Sequence, residues 1–222
     1  MASDDASDGF RIQRTSTVEQ VADALRRRIL RGDLPPGTPL REVGLAESMG
    51  VARNTVREGI RRLQAERLVD YRIHKGAVVA TLTEQDVREI YEIRRYIEFE
   101  ALKRCDVDDV RLLTALAESM VGLVPRGDAA DIVDADMHFH QALVDCLGNS
   151  RVSAFFASTL AELRIVLCLA ETGDASEWVP LHLDVCRLLR RGDRDQAIEV
   201  LADHFRETED LLAGTLAAVD GR

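Results

Sequence analysis

The chain has 222 residues and a net charge of −10, with 46% apolar and 31% charged side chains. This is enough apolar content to bury a core in one large or two small domains, and it excludes wholesale disorder. Aromatic residues make up only 5%, which favours packed helices over a β-sandwich.

No apolar run approaches the roughly 20 residues that a membrane span requires. The polar, acidic start MASDDASDGF lacks a signal-peptide pattern. The expectation is a cytoplasmic protein with no membrane partner. Its four cysteines, Cys105, Cys146, Cys168 and Cys186, have no CxxC spacing and read as reduced, mostly buried thiols. Charge is unevenly spread: residues 1–80 hold 14 Lys and Arg against 11 Asp and Glu, whereas residues 81–222 hold 15 against 28. A basic front joined to an acidic remainder predicts two parts with different partners. The acidic part discourages indiscriminate sticking to DNA.

Residues 1–14 are expected to form a flexible arm. A helix then starts at Ser16 or Thr17, where Ser16 with Glu19, and Thr17 with Gln20, have capping-box spacing. It carries Val21, Leu25 and Ile29 inward and stops at Gly32, before the turn GDLPPGTPL. The stretch LAESMGVARNTVREGIRRLQAERLV reads as a short helix ending near Met49, a Gly50-Val51 corner, and a longer helix from Arg53 to about Arg67. Two helices across such a corner are a helix-turn-helix. On the longer one, Val56, Ile60 and Leu63 form an apolar stripe beside a polar one of Arg53, Asn54, Arg57, Arg61 and Gln64. Guanidinium and amide groups on one edge suit guanine and adenine edges and phosphates. Thr55, in the first turn, can meet a phosphate. The plain alternative is an amphipathic helix with a solvated basic face. LVDYRI and AVVATL flank His74-Lys75-Gly76, a hairpin pattern that completes a winged helix over residues 15–81.

Residues 82–222 read as helical throughout. Thr83 opens a helix to about Cys105, and a second runs from Asp106 to Leu123. A third covers Asp128 to Leu147, and Asn149 or Ser150 caps a fourth ending near Gly173. A fifth spans Ala175 to Arg191, and Asp193 with Gln196 opens the last. The fold class expected is mainly α, an N-terminal winged helix-turn-helix plus a C-terminal antiparallel bundle of about six helices.

Within the bundle, Asp136 and His140 share a face with Ile132, Leu143 and Leu147. His182 shares one with Trp178, Cys186 and Leu189, and His204 with Ala197, Val200, Leu201 and Leu211. One carboxylate and three imidazoles aimed at a core need hydrogen bonds or a shared cation. As a donor set they suit a divalent metal ion, Zn²⁺, Ni²⁺ or Mn²⁺. For any single histidine, a hydrogen-bonded core residue is the commoner outcome. His138 falls on the opposite, exposed face. Arg94, among Val87, Ile90, Ile97 and Ala101, either pairs with Glu98 one turn on or clamps the carboxylate of a small organic acid. Arg95, off that stripe, reads as surface.

With these features in place, the sequence resembles the GntR family of bacterial transcription regulators, and within it the FadR-type branch with a C-terminal all-helical (FCD) effector domain. The resemblance covers about residues 17–212. It rests on VADALRRRILRGDLPPGTPLREVGLAESMGVARNTVREGIRRLQAERLV, the HKGAVV wing, and the landmarks EIRRYIE, DADMHFHQAL and GNSR. It implies a homodimer that binds a palindromic operator under the control of a small carboxylate effector. It also implies DNA contacts at Arg41, Arg53, Asn54, Thr55, Arg57, Lys75 and Gly76, and metal ligands at Asp136, His140, His182 and His204. Leu181 departs from the glutamate that many relatives carry before this histidine. The rival readings are a metal-dependent, hydrolase-like enzyme, in which the Asp/His cluster activates water, and an architectural DNA-binding protein without an effector. The winged helix argues against the first, and Arg94 with the inward donors argues against the second.

Overall fold

The structure, a computed structural model, describes residues 16–127, 129–167, 169–170 and 175–220, with the backbone alone for 219 and 220. The expected arm, Cys168 and the helix end near Gly173 lie outside the described residues.

The winged part begins with α1 (Thr17–Leu30), where Ser16 Oγ accepts the backbone N–H of Glu19. α2 (Glu42–Met49) ends on Gly50 in the left-handed region at φ 65°, a backbone angle that glycine adopts without strain. That turn sets α3 (Arg53–Ala65) across α2. The helix stops two residues short of the expected Arg67, which instead has φ 60°. α3 turns Val56, Gly59, Ile60 and Leu63 onto α1. Gly59 makes this packing possible: a Cβ there would lie 2.8 Å from Val21 Cγ1. β1 (Val69–Arg72) and β2 (Gly76–Val79) pair antiparallel, Val69 opposite Val79 and Arg72 opposite Gly76. Pro39, in the turn before α2, bridges to Val78 and ties the wing back to the head.

The helical part comprises α4 (Glu84–Arg104), α5 (Val107–Val121), α6 (Ala129–Asp145), α7 (Ser150–Leu167), α8 (Ala175–Arg191) and α9 (Arg194–Asp220). Reciprocal capping boxes start α4, through Thr83 and Asp86, and α5, through Asp106 and Asp109. Asn149, of the two candidates, caps α7 by accepting from Arg151 N and Val152 N. α5 ends two residues before Leu123, and a short 3₁₀ turn (Val124–Arg126) carries the chain on. Their core centres on Tyr91, Leu102, Leu113, Phe139, Leu143, Phe156, Leu163, Val185 and Phe205.

The two parts meet at α7. Ile165, on its last turn, belongs to the core of the winged head rather than to that of the bundle. Beside it, buried Arg164 donates from Nε to the Leu30 carbonyl at 3.0 Å, at the end of α1, and ion-pairs with Asp134 of α6. Arg95, expected at the surface, is half-buried against Glu209 of α9. Cys105 and Cys146, remote in sequence, come together beside Asp109 where α4 ends and α6 stops.

Candidate functional site

α6 places Asp136 and His140 one turn apart on its inner face; α8 supplies His182 and α9 His204, all four buried. The 3.6-residue period requires this for any helix whose apolar stripe they share. Their ligand atoms all lie within 4.8 Å of one another. Asp136 Oδ1 is 2.9 Å from His182 Nε2 and 3.5 Å from His140 Nε2.

The far side of each ring decides what these atoms can do. His182 Nδ1 lies 3.2 Å from the Val179 carbonyl, and His140 Nδ1 lies 2.6 Å from Glu98 Oε2. A carbonyl or carboxylate oxygen only accepts, so each Nδ1 must donate. Each Nε2 of a neutral ring is then a bare lone pair facing the bare lone pair of Asp136 Oδ1. Asp136 Oδ1, His140 Nε2 and His182 Nε2 are indeed buried without a hydrogen-bond partner. Facing lone pairs repel unless a proton or a cation lies between them. Burial opposes ionisation of Asp136, but His140 and His182 outweigh it and hold the carboxyl well below the usual range. Burial likewise opposes charge on His140, yet Glu98 outweighs it and raises that imidazole. Burial and the neighbouring His182 push His204 down, so it is neutral and free to ligate. The donor set therefore fits a divalent cation.

Glu98 is buried in α4, accepting from Arg94 Nε at 2.7 Å with one oxygen and facing His140 with the other. Arg94 thus makes the Glu98 pair expected of it, but only with Nε. Its guanidinium lies 4.2 Å above the Phe205 ring and 5.0 Å from that of Tyr91. Its Nη2 is buried with no partner. Arg94, Asp136 and His204 share the wall of a cavity of about 190 Å³, completed by Tyr91, Met137, Trp178, Glu207 and Thr208. Two of the four donors and a half-engaged guanidinium therefore open onto the same small space. Sequence reasoning placed the four donors and Arg94, and it put His138 on the exposed face, where it is found. It missed Glu98 as the inward link between them. The signal was present, since Glu98 is one turn from Arg94 and so shares its buried stripe.

In the head, Arg41, Arg53, Arg57, Arg61, Gln64, Tyr71, Lys75 and Gly76 line one concave face between α2, α3 and the wing. Asn54 is exposed and Thr55 half-buried in the first turn of α3, with Thr55 N donating to the Ala52 carbonyl at 2.9 Å. Five of the seven residues expected to meet DNA, Arg41, Arg53, Arg57, Lys75 and Gly76, thus line this face, whereas Asn54 and Thr55 are not part of its lining. Sequence reasoning overlooked Glu42, which holds Arg53 and Arg57 together in this groove.

Residues 17–79 match the family described as bacterial regulatory proteins, gntR family, and residues 89–207 match the FCD domain. The chain is 36% identical over 210 residues to the gluconate operon transcriptional repressor of Bacillus licheniformis, covering 89% of this chain and 86% of that protein. This chain belongs to the GntR family. It is a DNA-binding transcription regulator with an FCD domain, not an enzyme. The gluconate operon transcriptional repressor of Bacillus subtilis is 27% identical, with 90% of this regulator and 86% of the relative covered. A crystal structure of a GntR regulator from Rhodococcus sp. RHA1 superposes with a TM-score of 0.78 at 26% identity, over 89% of this regulator and 97% of that chain. Among the described residues, no helix of this regulator is long and apolar enough to cross a membrane.

Proposed function

We propose that this regulator is a cytoplasmic, FadR-type homodimeric repressor whose operator affinity is set by a small carboxylate bound beside a divalent metal ion. The reading divides the chain into a DNA-binding part over 15–81 and a ligand-binding and dimerisation part over 82–222. Its main support is the set of buried, unpartnered atoms, Asp136 Oδ1, His140 Nε2 and His182 Nε2, facing one another beside the unpartnered Arg94 Nη2. Asp136, His140, His182 and His204 would hold Zn²⁺, Ni²⁺ or Mn²⁺, which supplies a positive centre for an acid's oxygens. Arg94 would orient the carboxylate by donating from Nη2, while Glu98 keeps the guanidinium in place. A cavity of about 190 Å³ suits a hydroxy acid or sugar acid rather than a fatty acyl chain. Two relatives are named for gluconate operons, which makes gluconate the first acid to try.

In the head, Arg53 and Arg57 would read bases and Asn54 and Thr55 would meet base edges or phosphate. Arg41, Lys75 and Gly76 would hold the flanking backbone. Two-fold symmetry of a dimer would place the second head on the other half of a palindromic site. The acid shifts operator affinity by as much as its affinity differs between the DNA-binding and released arrangements.

Elemental analysis of the purified protein, followed by thermal melting with gluconate and related hydroxy acids with and without chelator, tests this. About one metal per chain is expected, with acid-induced stabilisation that the chelator and His182→Ala both abolish. Protein that neither carries nor takes up metal would leave the cluster a polar core and refute the proposal.

A further inference from the structure

Glu42, in the first turn of α2, is the hub of the reading groove. Its side chain is 14% exposed and accepts three hydrogen bonds. Arg57 Nε donates to Oε1 at 2.9 Å and Arg57 Nη2 to Oε2 at 2.8 Å, while Arg53 Nε donates to Oε2 at 2.9 Å. These bonds hold the carboxyl down at about 2, with desolvation opposing, so Glu42 is an anion throughout the neutral range.

An arginine has two recognition edges. The side edge offers Nε–H with one Nη2 proton; the end offers a parallel fork of Nη1 and Nη2 protons. Glu42 occupies the side edge of Arg57 and leaves the end fork free. That fork is the group that matches O6 and N7 of guanine in the major groove. Arg53, held only by Nε, keeps both terminal nitrogens available. Both arginines are substantially exposed, at 61% and 41% for Arg53 and Arg57, and exposed pairs of this kind add little to stability. What the carboxylate does supply is direction: it freezes two flexible side chains, side by side, in the groove lined by Arg41, Lys75 and Gly76.

We propose that Glu42 is a specificity-determining positioning residue: without touching DNA, it presents the end fork of Arg57 to a guanine and holds Arg53 beside it. This rests on the reading that Arg53 and Arg57 face operator bases.

The test uses the full chain. A duplex is selected from a randomised pool with the parent protein. Affinities of the parent, Glu42→Gln, Arg57→Ala and the double variant are then measured for that duplex, for versions with each G·C pair changed in turn, and for random DNA. Circular dichroism confirms that each variant is folded. Glu42→Gln is expected to lose about tenfold or more on the selected duplex. It should lose discrimination at the same G·C pair that Arg57→Ala ceases to read, while binding random DNA as well as the parent or better. The double variant should lose less than the sum of the two single losses and nothing more at the G·C pair that Arg57 reads, since only the hold on Arg53 is left to remove. If Arg57→Ala loses that discrimination and Glu42→Gln keeps it, the role of Glu42 is overturned and the reading head stands. Equal gain by Glu42→Gln on every duplex would make Glu42 a mere charge, and also overturns the role. If the parent enriches no sequence at all, the operator-reading proposal falls and takes this one with it.

Discussion

Glu98→Gln separates ion binding from packing in the bundle. Glu98 accepts from Arg94 Nε at 2.7 Å through one oxygen and faces His140 Nδ1 at 2.6 Å through the other. Glutamine keeps the shape and can still accept from Arg94, which turns its NH₂ towards His140. A donor there obliges Nδ1 to accept, moving the ring proton to Nε2, the atom that faces Asp136. A protonated Nε2 cannot ligate. Keeping the proton on Nδ1 instead would set two donors face to face, the glutamine NH₂ and His140 Nδ1–H, at the cost of a lost hydrogen bond. Changes to a ligand's hydrogen-bond partner commonly cost 10- to 100-fold in metal affinity, or about 1.4–2.7 kcal/mol. Glu98→Ala goes further: it removes the acceptor as well as the counter-charge, leaving the Arg94 guanidinium buried without a partner for Nε, which predicts a stability loss of about 3–5 kcal/mol. Competition titration with a chromophoric chelator at pH 7 measures the first effect and urea unfolding the second. A folded Glu98→Gln protein that binds zinc as tightly as the parent would refute the tautomer argument.

Three further outcomes follow from the geometry. Gly59→Ala puts a methyl group 2.8 Å from Val21 Cγ1 and 3.4 Å from the backbone of Ala22. Overpacking of about 1–3 kcal/mol should outweigh the helix-propensity gain of up to about 1 kcal/mol, so the melting temperature should fall; a rise would contradict the packing described. Because folding lowers the Glu42 carboxyl to about 2, its stabilising effect is complete above the unfolded carboxyl range and fades as pH falls through about 2. The unfolding free-energy difference between parent and Glu42→Gln should therefore be flat from pH 7 to 5 and shrink below that, and a difference unchanged at pH 2 would refute it. Arg164→Ala removes the donor to Leu30 and the partner of Asp134, so about 1–3 kcal/mol should disappear from urea unfolding; an unchanged midpoint would show that the junction carries no weight.

Local signals in the sequence were sufficient for the elements. Thr83, and Ser16 and Asn149 as one of two candidates each, cap helices where capping chemistry allowed, because a cap involves only the next three residues, and Asp106, expected as the first helical residue, proves to be the cap of its helix. The inward donors were legible for a related reason: a helix's apolar stripe says which way Asp136, His140, His182 and His204 face. The convergence of α6, α8 and α9 on one point was not, since no periodicity encodes the angle between helices. Glu42 was missed because its partners Arg53 and Arg57 lie across the corner between α2 and α3. Gly59 lies mid-helix, where glycine is a weak helix former, and only the approach of α1 gives it a purpose. Arg164 and Ile165 sit on an ordinary amphipathic helix, one edge of which, Ala161 and Ile165, serves the winged head, while Leu163, Val166 and Leu167 beside it serve the bundle.

That divided allegiance of α7 bears on how the protein can be taken apart. Ile165 fills a socket among the residues of the winged head, a burial that removes about 1.5–3 kcal/mol of apolar exposure. A head excised before Leu82 would present that socket to water and leave the Leu30 carbonyl without its arginine donor. Domain dissection of this regulator should therefore yield a front fragment that melts lower and self-associates more readily than the same residues do within the whole chain.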